Sequence, residues 1–213
     1  MLKKVISIIV LGIILFSSFS LYSFAFKLDE SDATVDGYYL YDISHNVLMA
    51  NDNCDKQISP SSTVKIMAAC VVLEAGINLQ QEITVTENMI KGVSGRSMYI
   101  KEGDILTVED LLYAMICGGY NDATHILALT ICPAIYKFTE KMNEKAAELG
   151  MNGTRYSNPT GIDGAGMYTT INDISRLAKY MAQNELFVTI CSIFFLSRSR
   201  GLPNHSARRL LSS

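Results

Sequence analysis

Ser59-Pro60-Ser61-Ser62-Thr63-Val64-Lys65-Ile66-Met67-Ala68-Ala69-Cys70-Val71-Val72-Leu73-Glu74-Ala75-Gly76 is the stretch on which the fold turns. A loop ends in Ser59-Pro60-Ser61, and a helix is expected from about Ser62 to Ala75, where Gly76 stops it. From Ile66 to Leu73 the residues are apolar on every side, which predicts a central, buried helix. Lys65 is the anomaly, a charged residue at the entrance to an apolar run. Residues three apart share a helix face about 5–6 Å from one another, so its amine can reach the Ser62 hydroxyl. The helix N-terminus favours negative charge developing on the serine oxygen, and burial lowers a lysine's pKa. A desolvated Lys65 could then take the serine proton. The same four residues also read as a lysine that snorkels to solvent, with Ser62 as a plain cap. Ser-x-x-Lys alone does not decide between the two.

Upstream of this helix, Tyr38-Tyr39-Leu40-Tyr41 is β-prone, Asp42 to Asn46 supplies turn residues, and Val47-Leu48-Met49 returns, so residues 37–52 read as a hairpin. Downstream, Ile83 to Thr86 and Met98 to Ile100 are short strand candidates. Thr107 with Asp110 makes a capping-box pattern that opens a helix through Cys117. Gly118-Gly119-Tyr120-Asn121 breaks it, a second helix runs to about Cys132, and Pro133 can start a third carrying Phe138, Met142, Ala146 and Leu149. Residues 152–168 are a Gly/Asn-rich loop, and Thr170 caps a last clear helix with Ile171, Ile174, Leu177, Ala178 and Met181 on one face. A hairpin, a buried central helix and a helical cluster predict an α+β fold, the helices packed on an antiparallel sheet.

At 213 residues the chain can bury one real core. Lys3 and Lys4, the apolar run Val5 to Phe16, and Ser23-Phe24-Ala25 have the layout of a secretory signal cleaved after Ala25. Its removal takes two lysines and no acid from 18 basic and 21 acidic residues, moving the formal charge from −3 to −5. A mildly acidic chain has no electrostatic case for nucleic acid, and its basic residues cluster only as Arg198, Arg200, Arg208 and Arg209. The five cysteines, Cys54, Cys70, Cys117, Cys132 and Cys191, are odd in number and widely spaced, unlike a disulfide framework. Cys70 and Cys117 read as small buried hydrophobes. No Gly-x-Gly-x-x-Gly or phosphate-binding loop occurs, so no cofactor is expected, and no His/Cys/Asp cluster has metal spacing. His45, His125 and His205 fall in a turn, a helix and the tail, and without Gly-x-Ser-x-Gly a Ser-His-Asp hydrolase has little support.

Ser59 to Met67 resembles the active-site segment of the low-molecular-mass penicillin-binding proteins, the D-alanyl-D-alanine carboxypeptidases. The likeness continues in order and spacing. It runs through the hairpin of residues 37–52, Ser97-Met98-Tyr99-Ile100-Lys101-Glu102-Gly103-Asp104, Val108-Glu109-Asp110-Leu111-Leu112-Tyr113, Glu140-Lys141-Met142-Asn143, Glu148-Leu149-Gly150-Met151 and Asn158-Pro159-Thr160-Gly161. The resemblance implies a penicillin-binding-protein/serine β-lactamase-like fold, with Ser62 as nucleophile and Lys65 as its base. Asn121, in the family's second motif, would hold Lys65 and the substrate amide, and Gly119 and Tyr120 would line the substrate. Gly119 departs from the family, which has a serine there to pass a proton to the leaving D-alanine. Lys-Thr-Gly, the third motif, is absent, and the likeness fades at about residue 191.

The expected organisation is a signal peptide over 1–25, an incomplete carboxypeptidase-like catalytic domain over 26–191 lacking its last strands, and a divergent tail over 192–213. The function implied is removal of the terminal D-alanine from peptidoglycan stem pentapeptides through an acyl-enzyme, outside the cytoplasm. β-Lactams would act as covalent inhibitors, and the missing motif would leave these residues feeble or dead. Membrane attachment would come only through the signal segment or a C-terminal anchor beyond the chain. Two rival readings are a non-catalytic wall-binding or truncated product and a serine β-lactamase. The latter is weakened because no Glu-x-x-x-Asn follows Asn121.

Overall fold

The computed structural model describes residues 35–162 and 166–199, without the side chains of residues 193–199. The signal segment over 1–25 and the tail from residue 200 onward lie outside the described residues.

β1 (Tyr38–Asp42) and β2 (Val47–Asp52) pair as a two-stranded sheet across the turn at residues 43–46, the hairpin expected from the alternation of β-prone and turn residues. Asn46, at φ 56, supplies the left-handed residue of the turn. The chain divides into two compact units: Leu40–Ala50 at the hairpin tip belongs to one, and Asp36–Tyr39 together with the residues from Asn51 onward forms the other. Within the tip, Tyr41 donates to the Asn46 side chain, and Leu40, Val47, Leu48 and Met49 are exposed.

The larger unit is built around α1 (Val64–Glu74). Eight of its eleven residues are buried, which no amphipathic surface helix would show. Gly76, at φ 65, ends it in the left-handed conformation that a residue with a Cβ adopts only at a cost. β3 (Glu82–Thr84) leads into a single turn, α2 (Glu87–Ile90), that the sequence reading had not separated. β3 pairs antiparallel with β4 (Ile105–Thr107), in the register Glu82↔Thr107, Ile83↔Leu106, Thr84↔Ile105.

The expected strand at Met98–Ile100 does not form. Tyr99 has φ 61, incompatible with extended backbone, and the N–H groups of Met98 and Ile100 donate to the Asp122 carboxylate instead of a ladder. The strand pairing passes to Ile105–Thr107.

α3 (Val108–Ile116) opens on the predicted capping box: Thr107 Oγ1 accepts from Asp110 N, and the Asp110 carboxylate accepts from Thr107 N, both at 3.1 Å. α4 (Asn121–Ile131), α5 (Ile135–Glu148) and α6 (Ile171–Met181) follow, with Thr170 capping α6 as expected. A further helix, α7 (Glu185–Ser199), continues through position 191. Asn184 caps it, its side chain accepting from Phe187 N at 2.9 Å. α1, α3, α4, α5 and α6 share one core, with Met67, Leu112, Met115, Leu127, Phe138 and Leu177 almost wholly buried.

All five cysteines are free thiols. Burial pushes Cys70 up to about 12 and Cys117 up to about 11, so both stay protonated and inert, as expected of small hydrophobes. No helix among the described residues is long and apolar enough to cross a membrane.

Candidate active site

Ser62 is exposed at the centre of a 3₁₀ turn, Ser61–Thr63, that runs directly into α1. The turn is closed by Thr63 N donating to Pro60 O at 3.0 Å, and Ser61 sits at φ 45. Its lead-in is fixed by a bridge in which Ile58 and Thr169 exchange both backbone hydrogen bonds at 2.9 Å. The hydroxyl therefore stands at a helix N-terminus on a pinned backbone.

Lys65, on the first turn of α1, is only 6% exposed. Burial lowers its pKa to about 8. Its Nζ donates to the backbone carbonyl of Thr160 at 2.5 Å. The snorkelling alternative is thereby excluded, because the amine turns inward to a loop 95 residues along the chain.

That loop is organised by one side chain. Asn158 Oδ1 accepts from Thr160 N at 3.1 Å, Thr160 Oγ1 at 3.0 Å and Gly161 N at 2.9 Å, while its Nδ2 donates to Ile162 O at 2.8 Å. Gly161 is at φ 81, and a Cβ there would fall 2.0 Å from Ser61 O and 3.2 Å from Ser62 N. Only glycine lets the loop rest on the Ser61–Ser62 backbone.

The second wall comes from the turn between α3 and α4. Asn121 is buried, its N donating to Arg96 O at 2.7 Å and its Nδ2 to Ser94 O at 2.8 Å. Asn121 is expected to hold Lys65; here the Asn121 amide nitrogen donates to Ser94 O, and the Lys65 amine donates to Thr160 O. Gly95 explains the choice, since a Cβ there would lie 2.7 Å from Asn121 Nδ2, so a glycine lets this segment close onto the amide. That Cβ would also lie 3.3 Å from Ile162 Cδ1, so the 94–96 segment, the 158–162 loop and the Ser61–Ser62 backbone are contiguous.

Asp122, also buried, accepts from Ser97 Oγ at 2.6 Å, Met98 N at 3.1 Å and Ile100 N at 3.2 Å, and so pins residues 97–100 to α4. Gly119 is at φ 68, and a Cβ there would lie 3.8 Å from Arg96 Cδ. Tyr120 lies beneath the Arg96 guanidinium, 5.3 Å from ring centroid to Cζ.

Ser62, Lys65, Gly119, Tyr120 and Asn121 therefore fall on adjoining segments. Sequence reasoning missed Asn158, Asp122 and Arg96 as parts of this site. Asn158 and Asp122 stand within or beside the segments that were aligned, but their partners are set by non-local packing. A separate groove of about 550 Å³, lined by Ile66, Ala178, Phe187 and Val188 among others, is apolar and carries none of this chemistry. No group of three or more His, Cys, Asp or Glu among the described residues could hold a metal ion. His125 instead bonds Met89 O through Nδ1 at 2.8 Å.

An exposed serine at a helix start, three residues before a buried lysine that burial lowers to about 8, has the residue types that base-assisted nucleophilic attack uses. Comparison with known proteins bears on what it attacks. A profile of the family described as D-alanyl-D-alanine carboxypeptidase matches residues 25–192. The chain is 29% identical over 142 residues to the D-alanyl-D-alanine carboxypeptidase DacF of Bacillus subtilis, covering 65% of this chain and 36% of that protein. It is 30% identical over 157 residues to a D-alanyl-D-alanine endopeptidase of Haemophilus influenzae, covering 74% and 53%. The crystal structure of the D-alanyl-D-alanine carboxypeptidase DacD from Francisella tularensis superposes with a TM-score of 0.67 at 30% identity, covering 73% of this chain and 39% of that one. The α+β, penicillin-binding-protein-like fold is thus established, while the chain spans between about a third and about half the length of these relatives.

Proposed function

Because the chain belongs to the D-alanyl-D-alanine carboxypeptidase family, we propose that it is a serine hydrolase acting on peptides ending in D-Ala-D-Ala, the termini of peptidoglycan stem peptides. One observation carries the chemistry. Lys65 is buried, is lowered to about 8, and stands one helical turn from an exposed serine at a helix N-terminus.

In this reading Lys65, in its neutral form, accepts the Ser62 proton as Oγ bonds to the carbonyl carbon between the two D-alanines. The tetrahedral intermediate collapses by breaking the C–N bond, and the proton leaves on the amine of the departing D-alanine. Water, deprotonated by the same lysine, then hydrolyses the ester and restores Ser62. Penicillin acylates the same oxygen by opening its lactam ring. Thr160 O orients the base, and Asn121, with Gly119 and Tyr120, lines the peptide. Lys3, Lys4, the run Val5 to Phe16 and Ser23-Phe24-Ala25 support export through a cleaved signal, and with it a place in the cell envelope.

The test uses the purified chain with fluorescent penicillin and a D-Ala-D-Ala tripeptide. Labelling that vanishes in Ser62→Ala is expected, and labelling that survives that substitution sinks the assignment of the nucleophile. Gly119 favours a second reading, a wall-binding protein that captures the peptide without processing it, since no hydroxyl stands there to pass the leaving-group proton. Peptide binding with no D-alanine released selects that reading.

A further inference from the structure

Arg96 has no role in the chemistry above, yet its side chain borders the cleft beside the position where the family's hydroxyl is missing. Its Cδ is the one atom within 4 Å of where a Cβ on Gly119 would stand, and its guanidinium lies over the Tyr120 ring. The backbone beneath it is held on both sides. Arg96 O accepts from Asn121 N at 2.7 Å, and the next residue, Ser97, is tied through its hydroxyl to the buried Asp122 carboxylate at 2.6 Å. None of the ion pairs among the described residues includes Arg96. A guanidinium keeps its charge at any working pH, so it cannot stand in for the missing serine as a proton relay. What it offers is a planar fork of N–H donors matched to a carboxylate, with Tyr120 limiting its orientations.

We propose that Arg96 is a specificity-determining residue that holds a carboxylate of the bound peptide at the Gly119–Tyr120 side of the cleft, a role that rests on the reading of the site as a D-Ala-D-Ala peptide site. The ligand class is an acidic peptide. The carboxylate is either the free C-terminus or the side-chain or α-carboxylate of an acidic residue further up the peptide, and the experiment separates these sources.

Dissociation constants are measured on the full chain by fluorescence anisotropy for three labelled peptides ending in D-Ala-D-Ala. One carries both carboxylates, one is amidated at the internal acid, and one is amidated at the C-terminus. Amidation at the contacted carboxylate is expected to weaken binding about 2- to 5-fold, the modest factor suited to an exposed charge, and the difference should shrink as salt is raised. Arg96→Gln removes that discrimination and Arg96→Lys keeps part of it; an exposed side chain lets both fold, which circular dichroism checks.

Ratios unchanged in Arg96→Gln overturn the proposal, as does failure of every peptide to bind. Penicillin labelling of Ser62 in the same preparations reports on the parent reading separately. Labelling with unmoved ratios removes Arg96 alone, whereas Arg96-dependent ratios without labelling remove the acyl-enzyme and leave Arg96 in place.

Discussion

The amine of Lys65 donates to the backbone carbonyl of Thr160 at 2.5 Å, joining the first turn of a buried helix to a loop 95 residues later. A main-chain carbonyl accepts from either protonation state of the amine, so the contact can orient Lys65 both before and after it takes a proton.

Acylation of Ser62 by fluorescent penicillin should rise with pH and reach half its plateau near 8, because the base works only when neutral and burial lowers Lys65 to about 8. Stability follows with a definite sign. The ordinary value of 10.5 holds in the unfolded chain, so between pH 8 and 10.5 the folded state carries fewer protons, and stability rises with pH across that window. The raised Cys70 and Cys117 thiols pull the other way above pH 9 in both proteins, so the rise is read as the difference in denaturant midpoints between wild type and Lys65→Met at pH 7.5 and 10; Lys65→Met also abolishes labelling. A flat rate profile would remove Lys65 as the base.

Asn158→Ala deletes all four hydrogen bonds that shape the loop behind Lys65. The expected cost is about 1–3 kcal/mol in stability and a fall of roughly 10²-fold in acylation rate, since small misplacements of a positioning contact cost that much. Asn158→Asp keeps the three bonds accepted by Oδ1 and should recover much of the rate. Stopped-flow labelling and thermal melts separate the two effects.

Legibility from sequence followed the range of the interactions. α1, its stop at Gly76, the hairpin and the capping box of Thr107 with Asp110 were readable because helix periodicity, turn residues and caps act within a few positions. Lys65 stood out because a charge before an apolar run is locally improbable. Met98–Ile100 misled, since apolar, β-prone residues there answer to a carboxylate more than twenty positions away. The bonds of Lys65 to Thr160 and of Asn121 to Ser94 span 95 and 27 positions, distances over which no periodicity carries information. α7 has a legible start, Asn184 followed by Glu185, but its near-continuous apolar run carries no amphipathic period to mark a helix.

Gly119→Ser places a hydroxyl at the start of the turn before α4, beside Arg96. The new Cβ meets Arg96 Cδ at 3.8 Å, an ordinary contact, so the cost at that atom is the left-handed backbone at φ 68, about 1–2 kcal/mol. D-Alanine release per acylated enzyme should rise about tenfold or more if proton delivery limits departure of the leaving group. A variant that melts lower and releases no more D-alanine would show that the hydroxyl is not the limiting element.

Lys145 ties α1, α5 and α6 together at the C-terminal end of α1. Its Nζ lies 2.8 Å from Glu74, 3.1 Å from Glu148 and 3.2 Å from Tyr180 Oη, and 4.4 Å from the Tyr180 ring. Burial opposes its charge, but the hydrogen bonds it donates, that to Glu74 foremost, outweigh burial and raise its pKa. Lys145→Ala should lower stability by about 1–3 kcal/mol, less than for a fully buried pair because Glu74 stays 40% exposed to water. Labelling at 20 °C should be unchanged in rate, with loss of signal only near the lowered melting point.

The close seat of Gly161 against Ser61 O makes reactivity a late product of folding. A nascent chain can coil α1 early, from local sequence alone, yet its serine then lacks the strand of backbone that steadies both the turn and the amine. Competence toward penicillin therefore reports completed long-range docking, and pulse-labelling during refolding should lag behind helix formation seen by circular dichroism.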